Sequence, residues 1–214
     1  MARDLPPLYA ILDVDLTLSR NLRPLDVLDG WLDAGVRLLQ VRAKSWSGGP
    51  LLELADQAAA RGRSAGATVI VNDRADIARL AAADGVHVGQ DDLGPSEVRR
   101  IVGPDAIVGF STHSDEQVDA ACRQPIDYLA IGPVFVSATR MAVASPIGLA
   151  GVASAVARAR VATLPVVAIG GITAENAARV LAAGAGSVAV ISGLLDEEPR
   201  AAARRLLAAL TSPL

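Results

Sequence analysis

Residues 68–92 read TVIVNDRADIARLAAADGVHVGQDD. Thr68–Val71 is a short apolar run that ends in Asn72 and Asp73. A helix-like segment follows, and Gly85 separates it from a second apolar run, Val86–Val88, which ends in Gln90, Asp91 and Asp92. A strand–helix–strand unit of this kind implies two parallel strands joined by a right-handed crossover. The polar residues then collect at the same end of both strands, which makes a rim.

The same unit recurs on both sides. Leu8–Leu12 runs into Asp13, Val36–Val41 into Arg42 and Lys44, and Ile107–Phe110 into Ser111 and His113. Tyr128–Ile131 leads to a long polar loop, Val166–Ile169 to Gly170-Gly171, and Val188–Ile191 to Ser192. These runs are almost continuously apolar, which suits strands covered on both faces. Between them, Leu51, Leu54, Ala55, Ala58 and Ala59 share one helical face, as do Leu25, Leu28 and Leu32, and later Ala177, Val180, Leu181 and Gly184. Gly35, Gly66, Gly85, Gly103 and Gly184 stand where helix C-caps are expected, and Pro24, Pro95 and Pro199 where first helical turns begin. Ser114-Asp115-Glu116-Gln117 reads as a capping box. The expected fold is α/β, a single (β/α)8 TIM barrel over residues 1–214. A doubly wound open sheet is the alternative, but it favours a glycine-rich turn after the first strand, where Asp13-Val14-Asp15 stands instead.

Composition narrows the function classes. The chain has 214 residues, enough for one large core, and 51% are hydrophobic. A net charge of −3 argues against nucleic acid as a partner. No basic cluster marks a membrane surface, and no apolar run is long enough to span a bilayer. Cys122 is the single cysteine, and a buried inert thiol is its expected state. The N-terminal residues do not read as a signal peptide, so a reducing cytoplasm is the expected location. Ala-rich helix faces could pack into a homodimer, but no particular face stands out.

Three clusters carry possible chemistry. In QVRAK, residues 40–44, strand alternation places Gln40, Arg42 and Lys44 on one side. Arg binds phosphate through a planar fork and Lys as a point charge, so a phosphate or diphosphate fits here; a solvated strand edge is the simpler reading. Asp73 and Asp92 end consecutive strands and could hold Mg2+, which takes a few carboxylates plus water and phosphate oxygens. Either acid could instead cap the next helix. Asp91 and Asp92 are not expected to point inward together, and Arg74 is expected at the surface or in a salt bridge. Gly170-Gly171 and Ile191-Ser192-Gly193 end the last two strands, where backbone N–H groups often bind phosphate in such barrels; tight turn geometry alone also explains them. The segment Gly132–Gly148, with Ser137, Thr139 and Arg140, is long enough to close as a lid. His87 is expected to be a satisfied structural histidine, and His113 either an acid/base or ring-stacking group or a helix-entry hydrogen bond. No spacing suggests zinc, a P-loop or a G-x-S-x-G elbow.

In order, QVRAK, VNDRADIA, DGVHVGQDD, GFSTH, YLAIGPVF, VAIGGIT and VISG resemble the thiamine phosphate synthases over nearly the whole chain. The resemblance implies a (β/α)8 enzyme that joins hydroxymethylpyrimidine diphosphate to thiazole phosphate and releases diphosphate. It implies that Arg42, Lys44 and Asn72 bind the diphosphate, that Asp73 and Asp92 hold Mg2+, and that Gln40 and Ser111 face the pyrimidine. Ser137 and Thr139 match loop hydroxyls near the reactants, and Gly171, Ile191 and Ser192 match the thiazole-phosphate site. Arg42, Lys44, Ser111 and Arg140 are the residues implied in catalysis. The family usually carries Thr-x-Thr-Lys in the lid; here Ser137-Ala138-Thr139-Arg140 keeps the charge but changes its geometry. Two alternatives stand beside this reading. One is a thiazole tautomerase with His113 moving protons. The other is a non-catalytic barrel that binds phosphorylated thiamine precursors. Asp13 and Asp15 have no role in any of these readings.

Overall fold

A computed structural model of the protein describes residues 4–136, 145–195 and 198–211. Eight parallel strands close into a barrel in chain order, β1 pairing with β8. They are β1 (Leu8–Asp13), β2 (Leu38–Arg42), β3 (Thr68–Asn72), β4 (Gly85–Val88), β5 (Ile107–Thr112), β6 (Tyr128–Ile131), β7 (Val166–Ile169) and β8 (Ser187–Val190). The crossover helices are α2 (Pro24–Ala34), α3 (Gly48–Ala65), α4 (Ala75–Leu80), α5 (Pro95–Val102), α6 (Asp115–Ala121), α7 (Gly148–Ala159) and α8 (Ala177–Ala182), and α9 (Pro199–Thr211) follows β8. A short extra helix, α1 (Val14–Ser19), sits directly on the end of β1. No described helix is long and apolar enough to cross a membrane.

The period of two along each strand divides the core. Tyr9, Ile11, Leu38, Ile70, Ile107, Tyr128, Ala130, Val167 and Ala189 fill the barrel interior. Their alternates, among them Leu12, Val41, Val71, Val86 and Leu129, face outward and pack under the helices. Both strand faces are therefore dry, which is why the strands read as apolar throughout. The punctuation places helix ends largely as expected. Pro24, Pro95 and Pro199 open α2, α5 and α9, and Gly35 and Gly66 are left-handed caps closing α2 and α3. Ser114 accepts the Gln117 N–H at 3.3 Å at the start of α6.

Gly85 departs from its expected role as a cap. It begins β4, and a Cβ there would collide with the backbone of Ile107 on β5, so close strand approach requires the glycine. Several strand ends also move by a residue or two. β2 starts at Leu38 rather than Val36, and β8 ends at Val190 rather than Ile191, because pairing with neighbours rather than apolarity sets the limits.

Candidate active site

The C-terminal ends of all eight strands open on one cleft of about 610 Å3. Gln40, Arg42, Lys44, Asn72, Asp73, Asp92, Ser111, Gly171, Ile191 and Ser192 all line it. This convergence follows from register: the residues that continue the inward phase of each strand reach the mouth at its end. Gln40 and Arg42 follow Leu38 inward, and Asn72 follows Ile70. Ser137, Thr139 and Arg140 lie outside the described residues. The flanks of their segment are pinned together: Ile147 N–H donates to Pro133 O at 2.9 Å and Gly148 N–H to Val134 O at 3.0 Å.

The early rim is a charged cluster. Lys44 Nζ lies 3.0 Å from Asp73 Oδ2. Burial raises the Asp73 carboxyl above its ordinary range; the adjacent Asp92 adds to this and Lys44 opposes it. Asp73 has φ 63, a left-handed conformation that Asp tolerates better than most residues. Asp92 Oδ2 accepts the Gly89 N–H at 2.7 Å. Neither acid caps the next helix, since the cap positions of α4 and α5 are Arg74 and Gly94. Asp91 also lines the cleft, contrary to the expectation that only one of the two acids turns inward, but it is exposed, whereas Asp92 is the one that reaches Asp73. Arg74 forks onto Asp76 at 2.6 and 2.8 Å, on the surface side.

Two carboxylates in contact, one of them burdened by burial and by its neighbour's charge, make a donor set that a small hard cation would relieve. Among the described residues no group of three or more acids, histidines or cysteines could enclose a metal. A cation at Asp73 and Asp92 would therefore complete its shell with water and ligand oxygens, as Mg2+ commonly does beside phosphates. Arg42 contributes a second positive group. One Nη is ion-paired with Asp13, and its Nε is buried without a hydrogen-bond partner among the described residues.

The barrel floor holds a polar chain that sequence reasoning missed. Gln40 Nε2 donates to the Tyr9 hydroxyl at 2.8 Å, and the Tyr9 and Tyr128 hydroxyls are 3.0 Å apart. Tyr128 is 2.9 Å from His87 Nδ1, and His87 Nε2 is 2.8 Å from Ser111 Oγ. His87 also stacks on Tyr128 with centroids 5.5 Å apart. Burial pushes both tyrosine hydroxyls well above their usual range, so they stay protonated and act as neutral hydrogen-bonding links. Gln40 and Ser111, at the two ends of the chain, are thus held from beneath. The available signal was the strand phase of Tyr9 and His87, which is inward, like that of Ile11 and Gln40. His113 lines the cleft with Nδ1 2.8 Å from Gly132 O.

On the late rim, Gly170 and Gly171 both have left-handed φ, 105 and 65. A Cβ on Gly170 would sit 2.7 Å from Pro133, and one on Gly171 2.6 Å from Val136 O. Packing of residues 133–136 alone therefore accounts for this pair, whatever else it binds. Ser192 opens a 3-10 turn after β8, and its carbonyl accepts from Arg20 at 3.3 Å.

Comparison with known proteins points to one family. A family model described as thiamine monophosphate synthase matches residues 8–194. A thiamine-phosphate synthase of Koribacter versatilis (strain Ellin345) is 42% identical over 216 residues, covering 97% of each chain. That of Anaeromyxobacter dehalogenans (strain 2CP-C) is 46% identical over 181 residues, 83% of this chain and 79% of its own. The solved thiamine phosphate pyrophosphorylase from Pyrococcus furiosus superposes with a TM-score of 0.85 at 32% identity, covering 95% of both chains. A 3-hexulose-6-phosphate synthase, TM-score 0.66 at 18% identity, shares the fold alone. With the family model matched from the first strand past the eighth, and identity of this order over nearly the full length, the chain belongs to the thiamine monophosphate synthase family.

Proposed function

We propose that the protein is a thiamine phosphate synthase, a transferase that joins hydroxymethylpyrimidine diphosphate to thiazole phosphate. The C–O bond between the pyrimidine methylene and the diphosphate breaks, and its electron pair leaves with the diphosphate. The thiazole nitrogen supplies its lone pair to form the new C–N bond, so no strong base is required. The observation that carries this reading is the meeting of Arg42, Lys44, Asp73 and Asp92 on one mouth of a closed barrel. An isomerase acting on a monophosphate has no use for such a cluster.

In this reading Arg42, Lys44 and Asn72 bind the diphosphate oxygens, and Asp73 and Asp92 would hold Mg2+. When bound, Mg2+ supplies Lewis-acid neutralisation of charge on the departing diphosphate. Lys44, now on Asp73, is within reach to share the ligand's charge. Gln40 and Ser111 face the pyrimidine, fixed in place by the tyrosine–histidine chain below them. An aminopyrimidine ring spreads positive charge as the bond breaks, so a dissociative course is favoured, and a closed mouth would keep water from the reacting carbon. Gly171, Ile191 and Ser192 receive the thiazole phosphate. Ser137, Thr139 and Arg140 are assigned to lid closure from the order of motifs alone. The whole chain acts as one domain, and a cytoplasmic location fits.

The test is incubation of the purified protein with both substrates and Mg2+, with thiamine phosphate and diphosphate measured together in equal amounts. No product, alongside tight binding of either substrate by calorimetry, would turn the assignment to a binding protein. Isomerisation of the thiazole phosphate alone would turn it to a tautomerase.

A further inference from the structure

The Asp13-Val14-Asp15 stretch has no place in the reaction just described, yet the fold builds it against the diphosphate-binding strand. Asp13 ends β1 and is register partner to Arg42 at the end of β2, which sets the two residues side by side on adjacent strands. Asp13 is buried, 6% exposed, and is not among the residues lining the cleft. One carboxylate oxygen accepts the Leu16 N–H at 3.0 Å and so caps α1; the other pairs with Arg42. Thr17 Oγ1 donates to the Asp13 carbonyl at 2.7 Å and ties the turn down again. Asp15, in the first turn of α1, accepts from both the backbone N–H and the hydroxyl of Ser45, directly after Lys44. The far end of α1 leads to Arg20, whose guanidinium meets the Ser192 carbonyl on the other neighbour of β1. The cap and a first-turn acid of one short helix thus grip the cation-bearing segment on either side of Lys44.

We propose that Asp13 is a positioning residue for the diphosphate site: by engaging one Nη it fixes the orientation of the Arg42 guanidinium, which lines the cleft where the ligand would bind. The inference rests on the reading of Arg42 as a diphosphate ligand. A guanidinium left to rotate would lose the two-pronged geometry that separates Arg from a point charge. Asp13 could also be a mere helix cap, and these two roles separate by substitution. Asp13→Ser keeps a capping oxygen for α1 but removes the carboxylate from Arg42.

The experiment measures binding of inorganic pyrophosphate with Mg2+ by calorimetry, in the full chain and in Asp13→Ser, Arg42→Ala and the double variant. Arg42→Ala is expected to weaken binding by about tenfold or more, the worth of a charge-assisted hydrogen bond. Asp13→Ser is expected to weaken it by about fivefold or more, and the double variant to bind no worse than Arg42→Ala alone, because Asp13 acts only through Arg42. With both substrates, Asp13→Ser should raise KM for the pyrimidine diphosphate and leave KM for thiazole phosphate within about twofold. Unchanged or tighter pyrophosphate binding by Asp13→Ser would overturn the proposal, as would additive losses in the double variant. If Arg42→Ala itself binds normally, the assignment of Arg42 to the diphosphate fails, and the positioning role fails with it.

Discussion

Asp92 is the residue on which the site's chemistry is most exposed to test. It reaches Asp73 from the next strand, and the neighbouring Gly89 N–H fixes its orientation. Asp92→Ala should lower kcat by about 100-fold or more, the scale on which electrostatic stabilisation of a leaving group is usually lost. Steady-state kinetics at saturating Mg2+ would check this, and near-normal turnover would remove the metal assignment. Asp73 gives the complementary prediction. Its carboxyl titrates above its ordinary value of 3.8, first because of burial. The folded state therefore takes up a proton more readily than the unfolded chain. The stability tied to this group is fully present below the unfolded value and is lost as pH rises through the folded one. Near neutral pH, without metal, an ionised Asp73 is a net burden. Asp73→Asn should raise the Tm of the metal-free protein by about 1–3 °C while abolishing Mg2+-dependent turnover, a trade common where sites keep strained charge. A fall in Tm by thermal scan would show that the Lys44 pair outweighs the cost of burial.

At the scale of elements, β5 and β6 are built around one exchange of volume. Gly109 is register partner to Tyr128, and the missing side chain on β5 is the space the Tyr128 ring occupies. A methyl at Gly109 would collide with that ring. Gly109→Ala should therefore displace Tyr128, break its links to Tyr9 and His87, and cost about 2–4 kcal/mol by denaturant unfolding. Tyr128→Phe keeps the volume and removes only the hydroxyl. It removes one hydrogen bond from the fully buried Tyr9 hydroxyl and one from His87 Nδ1, and should cost about 1–3 kcal/mol. If Tyr128→Phe unfolds at the parent denaturant midpoint, the chain is not a stabilising network. Because Gln40 and Ser111 are its two ends, the same variant should also raise KM for the pyrimidine substrate.

At the scale of the whole molecule, a ring of strands with a dry interior and one polar mouth gathers groups that are far apart in sequence. The cleft draws residues from Tyr9 to Gly193. A ligand bound at this mouth to the folded state alone should stabilise it by mass action. Pyrophosphate with Mg2+ at about 100 times its Kd should add about 2.7 kcal/mol, which is about 5–10 °C in Tm for a chain of this size. Differential scanning fluorimetry with pyrophosphate, with and without a chelator, would check it. The shift should vanish when Mg2+ is withheld, and a shift that persists in the chelator would count against the acid pair as a cation site.

The eight parallel strands, their order and the rim were readable from the chain because hydrophobic periodicity and helix punctuation are local properties. So was the list Arg42, Lys44, Asp73 and Asp92, because strand ends in a closed parallel barrel must face one way. Three features are decided only by the tertiary structure. Gly85 reads as a helix cap by its neighbours, but Ile107, twenty-two positions on, decides that it starts a strand. Tyr9, Tyr128 and His87 look like separate core residues until closure of the ring brings β1, β4 and β6 across the same interior. Asp13 carries no motif at all, and its meaning comes from its register with Arg42. Periodicity states which face a residue takes; only pairing across strands states what it meets there, because that depends on chain closure over long separations.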